Sequence, residues 1–587
     1  MKIPTTGNLI SLAFGSLVFG FFALLYPFHL NYQEQYQLFL FSADYFWSFM
    51  GKPGGFADYI GHFVTQFFFY SWVGAITVAC LLTLLQRMLL FISCRLKANP
   101  EWMPLTFIPS LLYWGLLCDE NCLYGGLIAM LLVTAFIAMF MLFDTVTFRV
   151  SFVLISIPVL YWLAGGAFLM LPLFALIREI RFAEMKKSRL ALFAVGCMVL
   201  SPALPLLSKK FFLQYPMIRV WTGADFFRFS VNIPLPVVII GLLIVLIPFA
   251  LHFLTAHLKS GRPALLLVAQ LVVAVPAGIL FIHQSADMAK EEVMAYDFNV
   301  RMRRWDRVIA MADKKMPSSP LSVTCLNLAL AKEGLLADRM FSYYQNGVQG
   351  LLPDFTRDFT IPEIAGEVYY QLGFINTAQR YAFEAMEALP DYQKSVRSVK
   401  RLAETSLING NYTLAGKYLD LLQKTFYYRT WATKVRQNMK NETFIDQHPE
   451  WGWLRKCRVE KDFLFSEGEK EMMLGVLFSH NKKNRMAYEY LMACCLLKKD
   501  LPHFIAYLPL SESLHDRPLP KSYQEALIYI WGLTHHDPAG SIPYPISTQV
   551  KRRVEAYHNI YTSRVDAEPL LRHQFTDTYW YYFHFRK

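Results

Sequence analysis

Residues 235–257 read LPVVIIGLLIVLIPFALHFLTAH, a stretch without a single Lys, Arg, Asp or Glu. A helix needs about 20 consecutive apolar residues to cross the hydrocarbon core of a bilayer, so this stretch is long enough to span one. Helices at the surface of a soluble domain keep a polar face, and this one has none. The stretch predicts a membrane protein.

Outward from it the pattern repeats on one side and stops on the other. Downstream, one more apolar run covers 263–283 and ends at His283. After it, Lys, Arg, Asp and Glu recur every few residues to the C-terminus. Upstream lie apolar runs at about 8–30, 62–86, 103–118, 123–143, 150–163, 166–178 and 190–207. The expectation is an all-α chain. Residues 1–283 form a transmembrane bundle of about nine spans, and 284–587 a soluble α-helical domain. The fifth and sixth runs are short, which predicts a tilt, kink or re-entry at Gly165-Gly166. Prolines such as Pro109, Pro158 and Pro202 fall inside apolar runs, where membrane bundles tolerate them. The first run is too long for a signal-peptide core and lacks a small-residue cleavage site, so it reads as an uncleaved span. Composition agrees: hydrophobic residues make up 55% of the 587 and charged ones 17%. Soluble domains carry about a quarter charged residues.

The net charge of +12 does not point to nucleic acid. Many of the basic residues sit in short loops between apolar runs, and the rest mix with acids in the second half. There is no continuous basic track for phosphates. The loop charges instead orient the chain. With the N-terminus inside, the inner loops hold twelve basic residues, from Lys2 through Arg149 to Lys259 and Arg262, and the outer loops five. The side richer in Lys and Arg is cytoplasmic. An odd number of spans then makes the second half extracytoplasmic. Cys118 and Cys122 flank a tight outer turn that would admit a disulfide in such a compartment. Isolated core thiols are the alternative, and no Cys/His spacing suggests a metal centre.

The second half shows helical periodicity with weak internal repeats. Gly334, Gly373 and Gly410 each follow a helical segment, 39 and 37 residues apart. Small residues such as Ala378 and Ala415 come next, then Pro390 after the first pair. These marks predict tetratricopeptide-like hairpins, with an unclassified α-bundle as the alternative. Trp451 to Trp453 interrupts the pattern, and helices resume near Glu469. The aromatic tail Tyr579–Phe585 is expected to close a helical core or to seat at a membrane interface. No catalytic motif stands out in this half, and the adjacent rings of His535 and His536 cannot share a helix face.

The chemistry-bearing residues lie in the outer loops. Residues 31–61 hold Glu34, Asp44, Lys52-Pro-Gly-Gly55 and Asp58 among aromatics, and predict an amphipathic segment in the outer interface. His62 and Gln66 follow at shallow depth, where polar groups are costly and tend to be functional. The second outer loop adds Asp119 and Glu120, and the loop 208–234 adds Arg219, Asp225 and Arg228. Carboxylates beside cations suit a donor that is a sugar on a lipid phosphate. An acid can deprotonate an acceptor hydroxyl or hold a divalent metal, while Arg or Lys neutralises the leaving phosphate. The candidate catalytic or metal-holding residues are Glu34, Asp44, Asp119 and Glu120. The candidate phosphate-binding residues are Arg219 and Arg228.

This layout resembles the GT-C superfamily of membrane glycosyltransferases in architecture. The shared features are a first span, an outer segment with acids (Glu34, Asp44), further outer acids (Asp119, Glu120) and an outer C-terminal domain. The first loop lacks the paired acidic dipeptide of many such enzymes. The resemblance implies transfer of a sugar from a polyprenyl-phosphate donor at the outer face. The whole chain also resembles an uncharacterised family of bacterial envelope proteins, through Gln33-Glu-Gln35, Pro53-Gly-Gly55 with Gln66-Phe-Phe-Phe69, Glu489-Tyr-Leu491 and Tyr523-Gln-Glu-Ala526. That resemblance implies a multi-pass protein of the bacterial inner membrane. Two functional readings result: the lipid-linked-sugar transferase, and a non-enzymatic envelope scaffold whose repeat domain binds a partner protein on a concave surface. A transporter would need charged or broken helices at the midplane, and the spans hold few charges there.

Overall fold

The computed structural model describes residues 5–182, 184–229, 235–258, 262–358, 360–391, 393–459, 465–510, 518–535, 542–563 and 566–586. Lys2, Lys259 and His536 lie outside the described residues. Among those described, regular structure is helical throughout, apart from an isolated bridge between Cys122 and Phe227. The chain divides into two compact units. One is Met1–Met288 with Lys424–Arg429, and the other is Ala289–Gln423 with Thr430–Lys587.

The first unit opens with α1 (Thr5–Gly20), carried on by a π-helical turn, Phe21–Leu25. Three shorter helices follow: α2 (Pro27–Gln35), α3 (Ala43–Met50) and α4 (Gly55–Thr65). Then come α5 (Ser71–Arg95), α6 (Ile108–Leu116), α7 (Tyr124–Phe140), α8 (Val146–Ala164) and α9 (Met170–Phe182). The unit ends with α10 (Lys187–Phe211), α11 (Met217–Thr222), α12 (Leu235–His257) and α13 (Pro263–Ser285). Helix α5 is the hub: Ala75, Val78, Leu82, Leu85 and Leu89 on it are fully buried. Helix α13 lies at the other extreme, with Val272 and Val273 66% and 70% exposed.

Among the described residues, six helical stretches are long and apolar enough to cross a membrane: Gly7–Leu25, Ser71–Arg95, Val146–Phe182, Lys187–Phe211, Leu235–His257 and Ala264–Ser285. That is fewer than the expected nine, and each difference has a local cause. The expected span 62–86 begins nine residues later. Residues 55–65 form α4, a 3-10 turn covers Gln66–Phe69, and Tyr70 is extended at φ −105° and ψ 111°. The expected 103–118 span is a 3-10 stretch, Pro100–Phe107, followed by the nine residues of α6. Pro104 and Pro109 withhold the backbone donors a longer helix needs there. Helix α7 is apolar but only 17 residues long. The expected runs 150–163 and 166–178 join in one helical stretch, Val146–Phe182, bent at Gly165, whose φ is +58°. At the end of α8 and α9 remote from Gly165, Arg149 and Glu179 (each 1% exposed) pair at 2.8 Å, and Glu184 and Arg178 complete the ion cluster.

The second unit starts with α14 (Met288–Arg301), α15 (Trp305–Lys314), α16 (Pro320–Lys332) and α17 (Leu336–Arg339). Next come α18 (Ile361–Leu372), α19 (Ile375–Glu387), α20 (Val396–Ile408) and α21 (Tyr412–Leu422). Helix α18 packs on α19 and α20 on α21, across turns where Gly373 and Gly410 hold φ of +107° and +75°. After α22 (Arg429–Asn438) and α23 (Glu442–Asp446), Trp451–Cys457 forms α24, where an interruption is expected from the sequence. Trp451 is buried there and stacks on His448 at 3.8 Å. The remaining helices are α25 (Lys470–His480), α26 (Arg485–Lys498), α27 (Leu501–Tyr507), α28 (Lys521–His535), α29 (Thr548–Ser563), α30 (Glu568–Phe575) and α31 (Tyr579–Phe585).

Helices α18 and α20 are buried on nearly every side and carry charge inward. Arg397 pairs with Asp297 at 2.6 Å and Glu363 at 3.1 Å, while Glu367 lies between Arg303 and Arg401. Such groups stay inside only because each has a charged partner. The aromatic tail closes this unit's core: Tyr579, Trp580, Tyr581 and Tyr582 are buried, and Trp580 Nε1 donates to the Glu525 carbonyl at 2.8 Å.

Candidate functional site

Three glycine-bearing turns of the first unit interlock. Gly54 (φ +72°), at the start of α4, donates its N–H to the Trp162 carbonyl at 2.9 Å, and Trp162 Nε1 donates back to the Met50 carbonyl at 2.9 Å. A Cβ on Gly54 would lie 2.3 Å from the backbone nitrogen of Ala224, and one on Gly165 2.5 Å from the same atom. Gly223 (φ +67°) would meet the Gly165 backbone at 2.5 Å. No side chain fits at these contacts, so glycine is what lets the three backbones approach.

That approach gathers charged groups from loops far apart in sequence. Lys52 Nζ lies 2.7 Å from Asp58 Oδ2 and 2.8 Å from Asp225 Oδ2. The Asp225 backbone N–H donates to Asp58 Oδ1 at 2.9 Å, and Arg219 reaches Asp225 Oδ1 at 3.1 Å. Asp58 is 2% exposed, whereas Lys52 and Arg219 keep 23% and 28% of their side chains open. Burial pushes the Asp58 carboxyl above the usual carboxylate range against the pull of Lys52. Burial works the same way on Asp225, but Lys52 and Arg219 together hold it below the usual carboxylate range. Two neighbouring acids are thereby pushed in opposite directions, Asp58 up and Asp225 down. Alongside, Tyr45 and His62 Nδ1 share a hydrogen bond of 3.0 Å, and burial holds His62 neutral, with a value down to about 3.

A second polar assembly surrounds α2. His29, Asn31, Gln33, Glu34 and Gln35 are all buried. Asn31 Nδ2 donates to the Phe68 carbonyl at 2.8 Å, and Gln33 Nε2 to the Cys122 carbonyl at 3.2 Å. Glu34 accepts from the Tyr428 hydroxyl at 3.1 Å. Tyr428 belongs to the 424–429 segment, whose Tyr427 stacks on Phe69 at 4.6 Å and whose Lys424 carbonyl accepts from the Phe41 N–H at 2.7 Å. Arg228 is 3% exposed, and its guanidinium donates to the Tyr36 carbonyl at 2.9 Å. Its backbone N–H donates to the Asn121 carbonyl at 2.8 Å, which ties the last outer loop to the 119–123 turn. Burial lowers the Arg228 guanidinium, and Tyr32, Tyr36 and Glu120 oppose that shift.

The six residues expected from the sequence therefore separate. Arg219 joins the Lys52–Asp58–Asp225 cluster, and Arg228 and Glu34 join the α2 assembly. Glu120 is half-buried within the field of Arg228. Asp119 is exposed, and its Oδ1 accepts from the Asn121 N–H at 2.8 Å, which closes the turn. Asp44 lies exposed on the first turn of α3. Lys52, Asp58 and Asp225 are the functional candidates that the sequence alone does not single out. The visible signal for them is their position beside Pro53-Gly-Gly55 and Gly223. All nine cysteines are free thiols, Cys118 and Cys122 included, both of them buried.

For a metal, the groups of interest lie in the second unit. Glu471, Asp500 and His503 each place a ligand atom within 4.8 Å of the others, with His503 Nδ1 2.9 and 2.8 Å from the two acids. The same atoms already serve the start of α27: Asp500 Oδ1 accepts from the His503 N–H, and Tyr507 donates to Glu471. Lys498 Nζ stands 3.4 Å from the other Glu471 oxygen, so local cations and caps account for this cluster.

No curated protein and no solved structure matches the chain. A family model matches residues 1–586, essentially end to end, and on that match the chain belongs to DUF6057, a family of unknown function.

Proposed function

We propose that the protein transfers a sugar from a polyprenyl-phosphate donor, and that the Lys52–Asp58–Asp225–Arg219 cluster performs the transfer. One observation carries this reading: the buried Asp58 carboxyl lies 2.7 Å from the partly exposed Lys52, and Asp225, on the same lysine, reaches the partly exposed Arg219 at 3.1 Å. In the reaction, Asp58 takes the proton of the acceptor hydroxyl as that oxygen bonds to the sugar C1. The C1–O bond to the lipid phosphate breaks, and its electron pair leaves with the phosphate, whose charge Lys52 and Arg219 neutralise. Asp225 positions both cations. Glu34, Asp119 and Glu120 then have supporting roles around α2 and the 119–123 turn.

The topology belongs to the same proposal. Counting α8 and α9 as two legs around Gly165, and residues 100–116 and α7 as shallow crossings, restores nine passages. The loop charges then put the N-terminus inside a bacterial inner membrane and the second unit outside it. The α18/α19 and α20/α21 pairs are read as tetratricopeptide-like hairpins.

The test is sugar release from polyprenyl-phosphate donors by the purified protein in proteoliposomes. Asp58→Asn is expected to lower turnover by about 100-fold or more, the scale of a lost general base. Wild-type protein that turns over no donor, while its second unit retains an envelope protein, would instead support the scaffold reading.

A further inference from the structure

The second unit contains a cavity of about 250 Å³ that the proposed transfer does not use. It opens between the end of α16, the Gly334 turn, the end of α18, α24 and the start of α26. Its lining is rich in cations. Lys332, Lys483 and Arg485 line it with one acid, Glu333, while Glu450 and Glu367 act on Lys332 from behind Gln371. Neither Lys332 nor Lys483 has an ion-pair partner among the described residues, while Arg485 is held by Glu489 at 2.5 Å.

Two further features point to what would enter. Trp453, on α24, lines the cavity and is 40% exposed, although it belongs to the residue type most often used for close ring contact. Gln371 is 3% exposed, and its Nε2 is fixed by Glu367 Oε1 and Glu450 Oε1, each at 2.9 Å. The amide is therefore locked, and its carbonyl oxygen accepts no hydrogen bond among the described residues. An acceptor fixed in place on the wall of a cavity can take a hydrogen bond from a ligand hydroxyl. Pockets for drug-sized ligands measure roughly 300–1,000 Å³, so this one holds a single small ring.

We propose that this cavity binds one anionic sugar unit, a uronic acid residue of a glycan. The pyranose C–H face stacks on Trp453, the carboxylate lies between Lys332 and Lys483, and a ring hydroxyl donates to Gln371. Burial holds the Lys332 ammonium below its ordinary range, and a carboxylate partner would reverse that. Discrimination follows from the same groups. A neutral hexose leaves the lysines without an anion, and inorganic phosphate has no face for the indole.

The experiment is isothermal titration of the full-length protein in nanodiscs with D-glucuronate, with D-glucose and inorganic phosphate titrated separately. Glucuronate is expected to bind, and glucose and phosphate to bind about tenfold more weakly or less, the scale of one charge-assisted contact. Lys332→Gln and Trp453→Ala are each expected to weaken glucuronate by about tenfold. Both lie at the cavity surface, and an unchanged unfolding temperature shows that the fold is kept. Asp58→Asn should bind glucuronate as wild type does, which separates this site from the transfer reaction. The proposal is overturned if glucuronate does not bind, if glucose or phosphate binds equally well, or if Trp453→Ala leaves binding unchanged.

Discussion

At the scale of single residues, the decisive groups are charges taken out of water. Arg149 and Glu179 are each 1% exposed and joined at 2.8 Å. Arg149→Ala would leave Glu179 buried with Arg178 alone, and removing one member of a buried pair costs about 3–5 kcal/mol. The expected result is a clear fall in unfolding temperature in mild detergent. Asp58 sets a different expectation. A base must be ionised to act, and burial raises this carboxyl above its ordinary range, so transfer should rise with pH through that raised range. A rate that is flat across it would remove Asp58 from the role. Glu525 is buried too, and burial raises its carboxyl from 4.5 to about 7, although Lys521 opposes the shift. A raised value means that the folded state holds the proton more tightly than the unfolded one. The associated stability is therefore complete below 4.5 and is lost as pH rises through about 7. Glu525→Gln should flatten that profile, and above pH 7 it should be more stable than wild type by on the order of 3 kcal/mol. Its carbonyl can still accept the Tyr579 N–H, which reaches Glu525 Oε2 at 2.7 Å.

At the scale of elements, two turns that look alike in sequence make opposite demands. A Cβ on Gly373 (φ +107°) would lie 2.8 Å from the Cys457 Cβ, whereas one on Gly410 (φ +75°) would meet nothing within 4 Å. Gly410→Ala should cost only the backbone strain, about 1–2 kcal/mol. Gly373→Ala should cost distinctly more, because α24 must also move, and chemical denaturation compares the two directly. The sequence spacing marks both glycines as turns, but the contact with α24 depends on packing across more than eighty residues. The same limit explains the membrane half. Apolar length marks α5, α10, α12 and α13 well, since a lipid-facing helix has no alternative to an apolar surface. It does not mark the break at Tyr70, because the residues on both sides are equally apolar. Gly165-Gly166 and Pro53-Gly-Gly55 are visible as places where the chain must bend. That their bends interlock, and so join Lys52 and Asp58 to Asp225, follows from the approach of three backbones, which no local pattern encodes.

At the scale of the whole molecule, the side of the second unit is the property with the widest consequences. On the proposed nine passages, a C-terminal alkaline-phosphatase fusion should be active while a green-fluorescent fusion should be dark. The reverse pattern would mean an even number of passages and would deny the proposed site its donor on the outer leaflet. The division of the chain bears on how the protein can be taken apart. Because Lys424–Arg429 belongs to the first unit, the chain passes between the units at 288/289, 423/424 and 429/430. A protease that cuts only near residue 288 would therefore not shed the C-terminal half, which stays sewn in through Tyr427 and Tyr428. Any attempt to express residues 289–587 alone would leave that stitch, with Phe426 beside it, dangling in water as a sticky end.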